Sequence, residues 1–148
     1  MSLVIEPYRD DLKESLFAFT DRCFTEIGKS FEPEGRHAFY LNIPEVFDAF
    51  WCLVDGEVKG SVAVKKISED TCELKALYLS EELRGQGWGY KLMDIAVSYA
   101  RSAGYRRIVL DSMSQYKAAR RLYDRYGFTV TDRYNDNMYA DVFMEYVL

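Results

Sequence analysis

The chain has 148 residues and a mass of 17.3 kDa, with 49% hydrophobic and 29% charged residues, which excludes disorder over most of its length and fits one domain over residues 1–148. Its 24 Asp and Glu outnumber 19 Lys and Arg for a net charge of -5, so no overall positive field attracts nucleic acid. Early charges in MSLVIEPYRDD argue against a signal peptide, and no apolar run approaches the roughly 18 residues of a membrane span, so a cytoplasmic protein without membrane contact is expected.

In chain order, Leu3-Val4-Ile5 reads as a short strand stopped by Pro7, and Leu12, Leu16, Phe19 and Cys23 repeat at helical spacing over Asp10 to Phe24. Gly28 to Asn42 reads as loop plus a short helix, with Pro33 in a first helical turn. Phe50 to Val54, the Asp55-Gly56 turn and Glu57 to Lys65 form a hairpin, and Thr71 to Leu79 adds a third antiparallel strand. Leu92, Ile95, Ala96 and Tyr99 then share one stripe of a helix over Trp88 to Ala103, stopped by Gly104. Arg107 to Asp111 is a buried strand, parallel to the one ending at Leu79 through a right-handed crossover. Ser114 caps a second helix running to Tyr126 with Ala118, Ala119, Leu122 and Tyr126 inward, and Phe128 to Tyr134 and Ala140 to Leu148 close the chain as strands. The sum is an α/β fold (α+β by some schemes), a mixed, mostly antiparallel sheet with one parallel βαβ crossover and helices on both faces.

Cys23, Cys52 and Cys72 are odd in number and far apart, so neither a disulfide framework nor a zinc site is signalled. His37, the only histidine, has Glu32 and Glu34 beside it but lacks further nitrogen or sulfur ligands, so no metal is expected.

Chemistry concentrates in Leu77 to Tyr90 (LYLSEELRGQGWGY), a strand end, a glycine loop and a helix start in succession. Glycines at such a junction let the backbone approach an anion while several N–H groups and the positive helix end point at it. A diphosphate is the natural guest. The dinucleotide fingerprint fails because Tyr90 stands where a small residue is needed, and the Gly-Lys-Ser/Thr of a P-loop is absent.

With Arg84, Gly87 and Gly89 the loop resembles the R/Q-x-x-G-x-G/A signature of the GNAT acyltransferase superfamily. Downstream, Ala119, Leu122-Tyr123 and Gly127-Phe128 are similar to the A-x-x-L-Y-x-x-x-G-F pattern of its second cofactor-contacting helix. The resemblance covers Trp51 to Phe128; the flanking regions normally shape the acceptor site. It implies acetyl-CoA, or another acyl-CoA, as donor, with the pyrophosphate on Arg84, Gly85, Gln86, Gly87, Trp88, Gly89 and Tyr90. It also implies a pantetheine arm along the main chain of Leu77, Tyr78 and Leu79, the Leu79 N–H polarising the thioester carbonyl, and contacts from Tyr116, Ala119 and Tyr123. Many members carry Asn where Tyr116 stands, which leaves that contact to Tyr116, Ser114 or a water.

An alkylammonium with a pKa near ~10 must lose a proton before its nitrogen attacks a thioester, and the departing thiolate benefits from receiving one. By resemblance Tyr123 is the candidate acid, against a plain core tyrosine. Glu73 is the candidate base, directly or through water, against a carboxylate merely solvated or paired with Lys75. Tyr134 and Asn137, in the polar and aromatic stretch Arg133 to Asp141, are candidate acceptor contacts, and the acids of Phe31 to His37 form another candidate wall favouring a cationic amine. The expected activity is transfer from acetyl-CoA to a primary amine, that of a small molecule first, with a protein N-terminus or lysine as the alternative acceptor. A CoA-binding sensor without turnover is the alternative from another class. An exposed final strand leaves a homodimer open.

Overall fold

The computed structural model describes residues 2–148. Strands β1 (Val4–Pro7), β2 (Ala49–Asp55), β3 (Glu57–Lys66), β4 (Thr71–Leu79), β5 (Arg107–Ser112), β6 (Thr129–Val130) and β7 (Val142–Val147) make one seven-stranded sheet in the order β1-β2-β3-β4-β5-β7-β6. Neighbouring strands are antiparallel except β4 and β5, which pair in parallel from Thr71↔Arg107 to Glu73↔Val109. The helices are α1 (Lys13–Glu26), α2 (Ile43–Val46), α3 (Trp88–Ser102) and α4 (Lys117–Tyr126). This is the expected mixed sheet with one crossover, since among the described residues β4-α3-β5 is the one segment between adjacent parallel strands.

Alternation along the strands divides the apolar side chains between two faces. On one face Leu53, Val62, Val64, Cys72 and Leu74 meet Leu92, Met93, Ala96, Val97 and Ala100 of α3, and Tyr123 of α4. On the other, Phe50, Cys52, Val58 and Ala63 meet Leu12, Leu16, Phe19 and Cys23, with Tyr40, Ile43 and Phe47 from the segment around α2. Helix α3 approaches closely because β3 carries Gly60 beneath it. A Cβ there would stand 3.1 Å from Leu53 Cβ, 3.2 Å from Leu92 Cδ1 and 3.3 Å from Leu79 Cδ1.

Several local readings are corrected. Pro7 does not stop β1 but lies within it, opposite Trp51, as an edge strand permits because a proline's missing N–H costs no ladder bond on the open side. The proline in a first helical turn is Pro44, in α2, not Pro33. Ser114 does not cap α4, whose N-cap position is Tyr116; the Ser114 N–H and hydroxyl both donate to the Asp141 carboxylate, each at 2.7 Å. On α4 Ala118 is exposed and Tyr123 is the buried residue. The strand expected over Phe128 to Tyr134 shrinks to Thr129–Val130, because Arg133 turns inward and donates to the Asn137 and Ala140 carbonyls at 3.0 and 3.1 Å, which folds the next residues into a loop.

Gly60→Ala is expected to lower stability by about 1–3 kcal/mol, the usual cost of overpacking, because three close contacts are met at once. A thermal or urea melt checks it, and an unchanged midpoint would show that α3 shifts freely on the sheet.

Candidate active site

The site begins with an irregularity in β4. Ser61 pairs with Tyr78 but Ala63 pairs with Lys75, so β4 carries one extra residue there. That bulge reverses the alternation. Leu74 packs on the α3 face, Ala76 and Tyr78 on the α1 face, and Leu77 and Leu79 return to the α3 face. Ala76 takes φ 56, and its carbonyl accepts the Ser61 hydroxyl at 2.6 Å.

Pairing between β4 and β5 ends at Glu73↔Val109, while β4 runs on to Leu79 and β5, paired to β7, runs on to Ser112. The Ser80 N–H donates to the Lys59 carbonyl on β3 at 2.8 Å, so the two-residue period turns the Leu79 and Leu77 N–H groups the other way, into the gap. Tyr78, between them, presents its main chain to β3 and its half-buried ring to the α1 face, 5.3 Å from the Phe24 ring.

At the end of β4 the chain makes a short 3-10 turn, Glu81–Leu83, and enters α3 through Gly85 at φ 79 and Gly87 at φ 89. Those backbone values are open to glycine and strained for other residues. A Cβ at either would meet nothing within 4 Å, so the loop faces open space. Helix α3 is 15 residues long with no acidic residue in its first turn, so its positive end is uncompensated. Arg84 is exposed, with Nη2 3.4 Å from the Leu79 carbonyl and 3.7 Å from Glu26. Gln86 donates to the Glu82 carbonyl at 3.1 Å, Lys91 lies 4.3 Å over the Trp88 ring, and Tyr90 packs 4.9 Å from the Tyr126 ring. A Cβ at Gly89 would come within 3.1 Å of Leu122, so glycine also lets α3 and α4 approach.

Helix α4 carries Ala119 and Tyr123, with Tyr116 at its N-cap position. Tyr123 is 8% exposed. Burial pushes its phenol up to about 12, with the Ser112 hydroxyl opposing and the Asp111 charge reinforcing the shift. The buried Tyr116 hydroxyl has no hydrogen-bond partner among the described residues, and Ala119 is half-buried against the α3-face core.

Glu73 is 6% exposed on the α1 face. The Tyr134 hydroxyl donates to its Oε2 at 2.6 Å, and Lys75 Nζ lies 3.7 Å from its Oε1. Burial and the Glu73 charge raise the Tyr134 pKa far above that of a free phenol. Glu73 is thus a held carboxylate rather than a solvated one. The other candidate acceptor contact, Asn137, donates to Asp111 Oδ2 at 3.3 Å, beside Asn135 at 2.7 Å. Asp111 is not among the candidate residues that the sequence offers; its place near the end of a buried strand, before a polar loop, is the signal that marks it. The Phe31–His37 wall holds a different chemistry from the acidic one expected. Glu32 pairs with Arg36 at 3.1 Å, and His37 accepts the Glu32 N–H at Nδ1 (2.9 Å) while packing on Phe24 and Phe31 at 5.0 and 5.8 Å. The three cysteines are separate buried thiols, each pushed up to about 12 by burial.

Comparison with known proteins follows this geometry. The profile of the Acetyltransferase (GNAT) family matches residues 11–128. An uncharacterised N-acetyltransferase of Schizosaccharomyces pombe is 35% identical over 88 residues, 59% of this chain and 54% of that protein. One of Escherichia coli is 33% identical over 88 residues, 57% of this chain and 53% of its own. The matched stretch is thus about half the length of these curated relatives. Among solved structures, a GNAT-family acetyltransferase of Staphylococcus aureus Mu50 superposes with a TM-score of 0.88 at 17% identity, covering 97% of this chain and 98% of that one. YncA of Salmonella typhimurium, solved with acetyl-CoA, superposes at 0.77 with 20% identity over 99% and 94%. At these identities the superpositions speak for the fold.

Because Tyr123 and Tyr134 hold their protons more tightly folded than an ordinary phenol at 10.0, the folded chain binds more protons than the unfolded chain above pH 10. Their contribution is full below pH 10 and is lost as pH rises toward about 12. Melting temperature is therefore expected to fall across that window, less steeply in Tyr123→Phe. Parallel slopes would show that Tyr123 does not carry the loss.

Proposed function

The chain belongs to the GNAT acetyltransferase family, and from that premise we propose that it moves the acetyl group of acetyl-CoA directly to the primary amine of a small molecule, with both bound at once. The observation that carries this reading is the end of β4, where unpaired main chain, a glycine loop and a helix N-terminus follow one another within Leu77 to Trp88. A phosphorylated, amide-bearing cofactor fits that succession. The open Gly85-Gly87 backbone and the start of α3 suit its pyrophosphate, with Arg84, Gln86, Trp88, Gly89 and Tyr90 around it. The main chain of Leu77 and Leu79 suits its amides, and the orphaned Tyr116 hydroxyl, beside Ala119, is a donor awaiting an acceptor.

Bound acetyl-CoA supplies an acetyl carbon whose bond to sulfur breaks as its bond to the amine nitrogen forms. The Leu79 N–H donates to the acetyl oxygen and stabilises the charge that develops there. Glu73, held by Tyr134 and Lys75, takes a proton from the incoming ammonium, directly or through one water. Tyr123 donates its O–H to the departing sulfur, and the second proton shed by the attacking nitrogen as the amide forms passes to that sulfur, so that CoA leaves as the thiol. At about 12 the phenol is a weaker acid than a thiol near ~8.5, so its contribution is mainly a hydrogen bond to the leaving group. A cytoplasmic setting agrees with the three cysteines as free thiols, and no helix among the described residues is long and apolar enough to cross a membrane.

Thermal melting with acetyl-CoA, followed by thiol release across a panel of amines, tests the reading. A stabilising shift with thiol release is expected. A shift without release on any amine would favour a CoA-binding sensor, and no shift would sink the glycine-loop assignment. Tyr123→Phe is expected to lower turnover about 10- to 100-fold while retaining acetyl-CoA affinity.

A further inference from the structure

Glu73 is the base of the transfer reading, yet a cation arriving there finds both carboxylate oxygens covered. The residue is 6% exposed. Oε2 accepts the Tyr134 hydroxyl at 2.6 Å, and Oε1 is faced by Lys75 Nζ at 3.7 Å. Lys75 is held in turn, its Nζ 5.6 Å over the Phe39 ring. An ammonium approaching Oε1 therefore meets a like charge, whereas one approaching Oε2 meets a neutral hydroxyl.

Strand register puts that hydroxyl at the opening of the sheet. Glu73↔Val109 is the last pairing of β4 with β5. Leu110 and Met144, partners across β5 and β7, lie in the core on the α3 face, so alternation turns Val109, Asp111 and Phe143 to the face that carries Glu73. Asp111 is the first of these beyond the last rung. The Asn135 amide donates to Asp111 Oδ2 at 2.7 Å while its chain neighbour Tyr134 donates to Glu73, and the Tyr134 ring stands edge-on to Phe143 at 5.6 Å. Tyr134 and Asn135 thus bridge the final rung and the first residue of the split on this face. Asn137, donating to Asp111 at 3.3 Å, and Arg133, donating to the Asn137 and Ala140 carbonyls at 3.0 and 3.1 Å, fix the loop there.

A phenolic hydroxyl has one proton to give and lone pairs with which to accept. The Tyr134 proton is committed to Glu73, and no group among the described residues donates to its oxygen. What remains is an accepting side, on a half-buried residue beside the opening, and an ammonium N–H is its complement. Burial and the Glu73 charge keep the phenol protonated, so it serves as a neutral conduit and not as a phenolate base.

We propose that Tyr134 is a catalytic residue, the hydroxyl through which the acceptor's ammonium proton reaches Glu73. The ammonium donates to Tyr134 Oη. As its N–H bond breaks and an O–H bond forms on the phenol, the original phenol O–H bond breaks and that proton bonds to Glu73 Oε2. The outcome is a neutral amine with a free electron pair, an intact tyrosine and a protonated Glu73, with atoms and charge conserved. This deepens the acetyl-transfer reading and rests on it, since it names the atom that carries the proton to the base.

The test pairs amines of one skeleton: ethylamine with 2,2,2-trifluoroethylamine, and 2-phenylethylamine with 2,2-difluoro-2-phenylethylamine. Near pH ~8 the parent amines are mostly ammonium, while fluorine withdrawal leaves their partners mostly neutral, with no proton to relay. Thiol release from acetyl-CoA is measured first on the wild type; release from none of the four defeats the transfer reading and takes this inference with it. Where the wild type turns over, Tyr134→Phe is expected to lower kcat/KM about 100-fold for the parent amines and less than about threefold for the fluorinated ones. Activity on the fluorinated amines also shows that the variant is folded. Glu73→Gln is expected to give the same selective loss, and the double variant no more than either single one, because both interrupt one path. Equal loss on both members of a pair in a variant that melts like the wild type, additive losses in the double variant, or an unchanged rate overturns the proposal and leaves the transfer reading standing. If Tyr134→Phe melts lower, the wild type itself decides in mixed light and heavy water. Its rate is expected to curve with deuterium content for the parent amines, where two protons move together, and to run straight for the fluorinated ones; matching plots overturn the proposal.

Discussion

The rest of the site depends on one extra residue in β4. A regular strand would continue its ladder with β5 beyond Glu73↔Val109, pairing the main chain of Leu77 and Leu79. With the bulge at Ala76 and Leu77, between the Lys75 and Tyr78 pairings, the strand bends away and the Leu77 and Leu79 groups stay free. Ala76 at φ 56 costs about 1–2 kcal/mol in a left-handed conformation, and the buried Ser61 hydroxyl on the Ala76 carbonyl helps to hold it there. Strain of this kind persists where surrounding structure over-determines it. Here packing on both faces does so, with Leu74, Leu77 and Leu79 against the α3 side and Ala76 and Tyr78 against the α1 side.

The two faces contribute different halves of the chemistry. The α3 and α4 face supplies a glycine-lined helix start, the Tyr116 hydroxyl and the Tyr123 phenol, a set suited to a phosphorylated cofactor and its leaving sulfur. The α1 face supplies the held Glu73 carboxylate and the aromatic rings beside it. They meet where β4 and β5 part beyond Glu73↔Val109, the opening on which the proposed transfer depends. Arg84 spans the junction, with Glu26 of α1 at 3.7 Å and the Leu79 carbonyl at 3.4 Å, which ties the end of α1 to the glycine loop.

What could be read from the chain was local. The hairpin at Asp55-Gly56, the β4-α3-β5 crossover and the glycine loop all appear where their residues predict them, because turn geometry, helical period and an anion cradle are properties of a dozen or fewer contiguous residues. The errors came where a local signal met a distant partner. Ser114 has the chemistry of a cap, but Asp141 claimed both of its donors from 27 residues away. The segment after Phe128 alternates like a strand, but Arg133 drew the chain into a loop by binding its carbonyls.

By itself the sequence determined the fold class, the two motifs that mark the cofactor side, and the presence of Glu73 and Tyr123 on elements flanking one strand end. Periodicity and short motifs encode these, so they survive without coordinates. Tertiary structure alone decided the bulge, since in TCELKALYL the alternation gives way after Lys75 to the run ALYL, which suits either face and does not mark Ala76. It likewise decided the pairing of Glu73 with Tyr134 across 61 residues and the choice of Asp111 as partner of Asn137. Each depends on which side chains share a low-dielectric space, and burial sets the strength of such charges and hydrogen bonds. Sequence spacing carries no record of that space until the sheet, the helices and the two loops have closed around it.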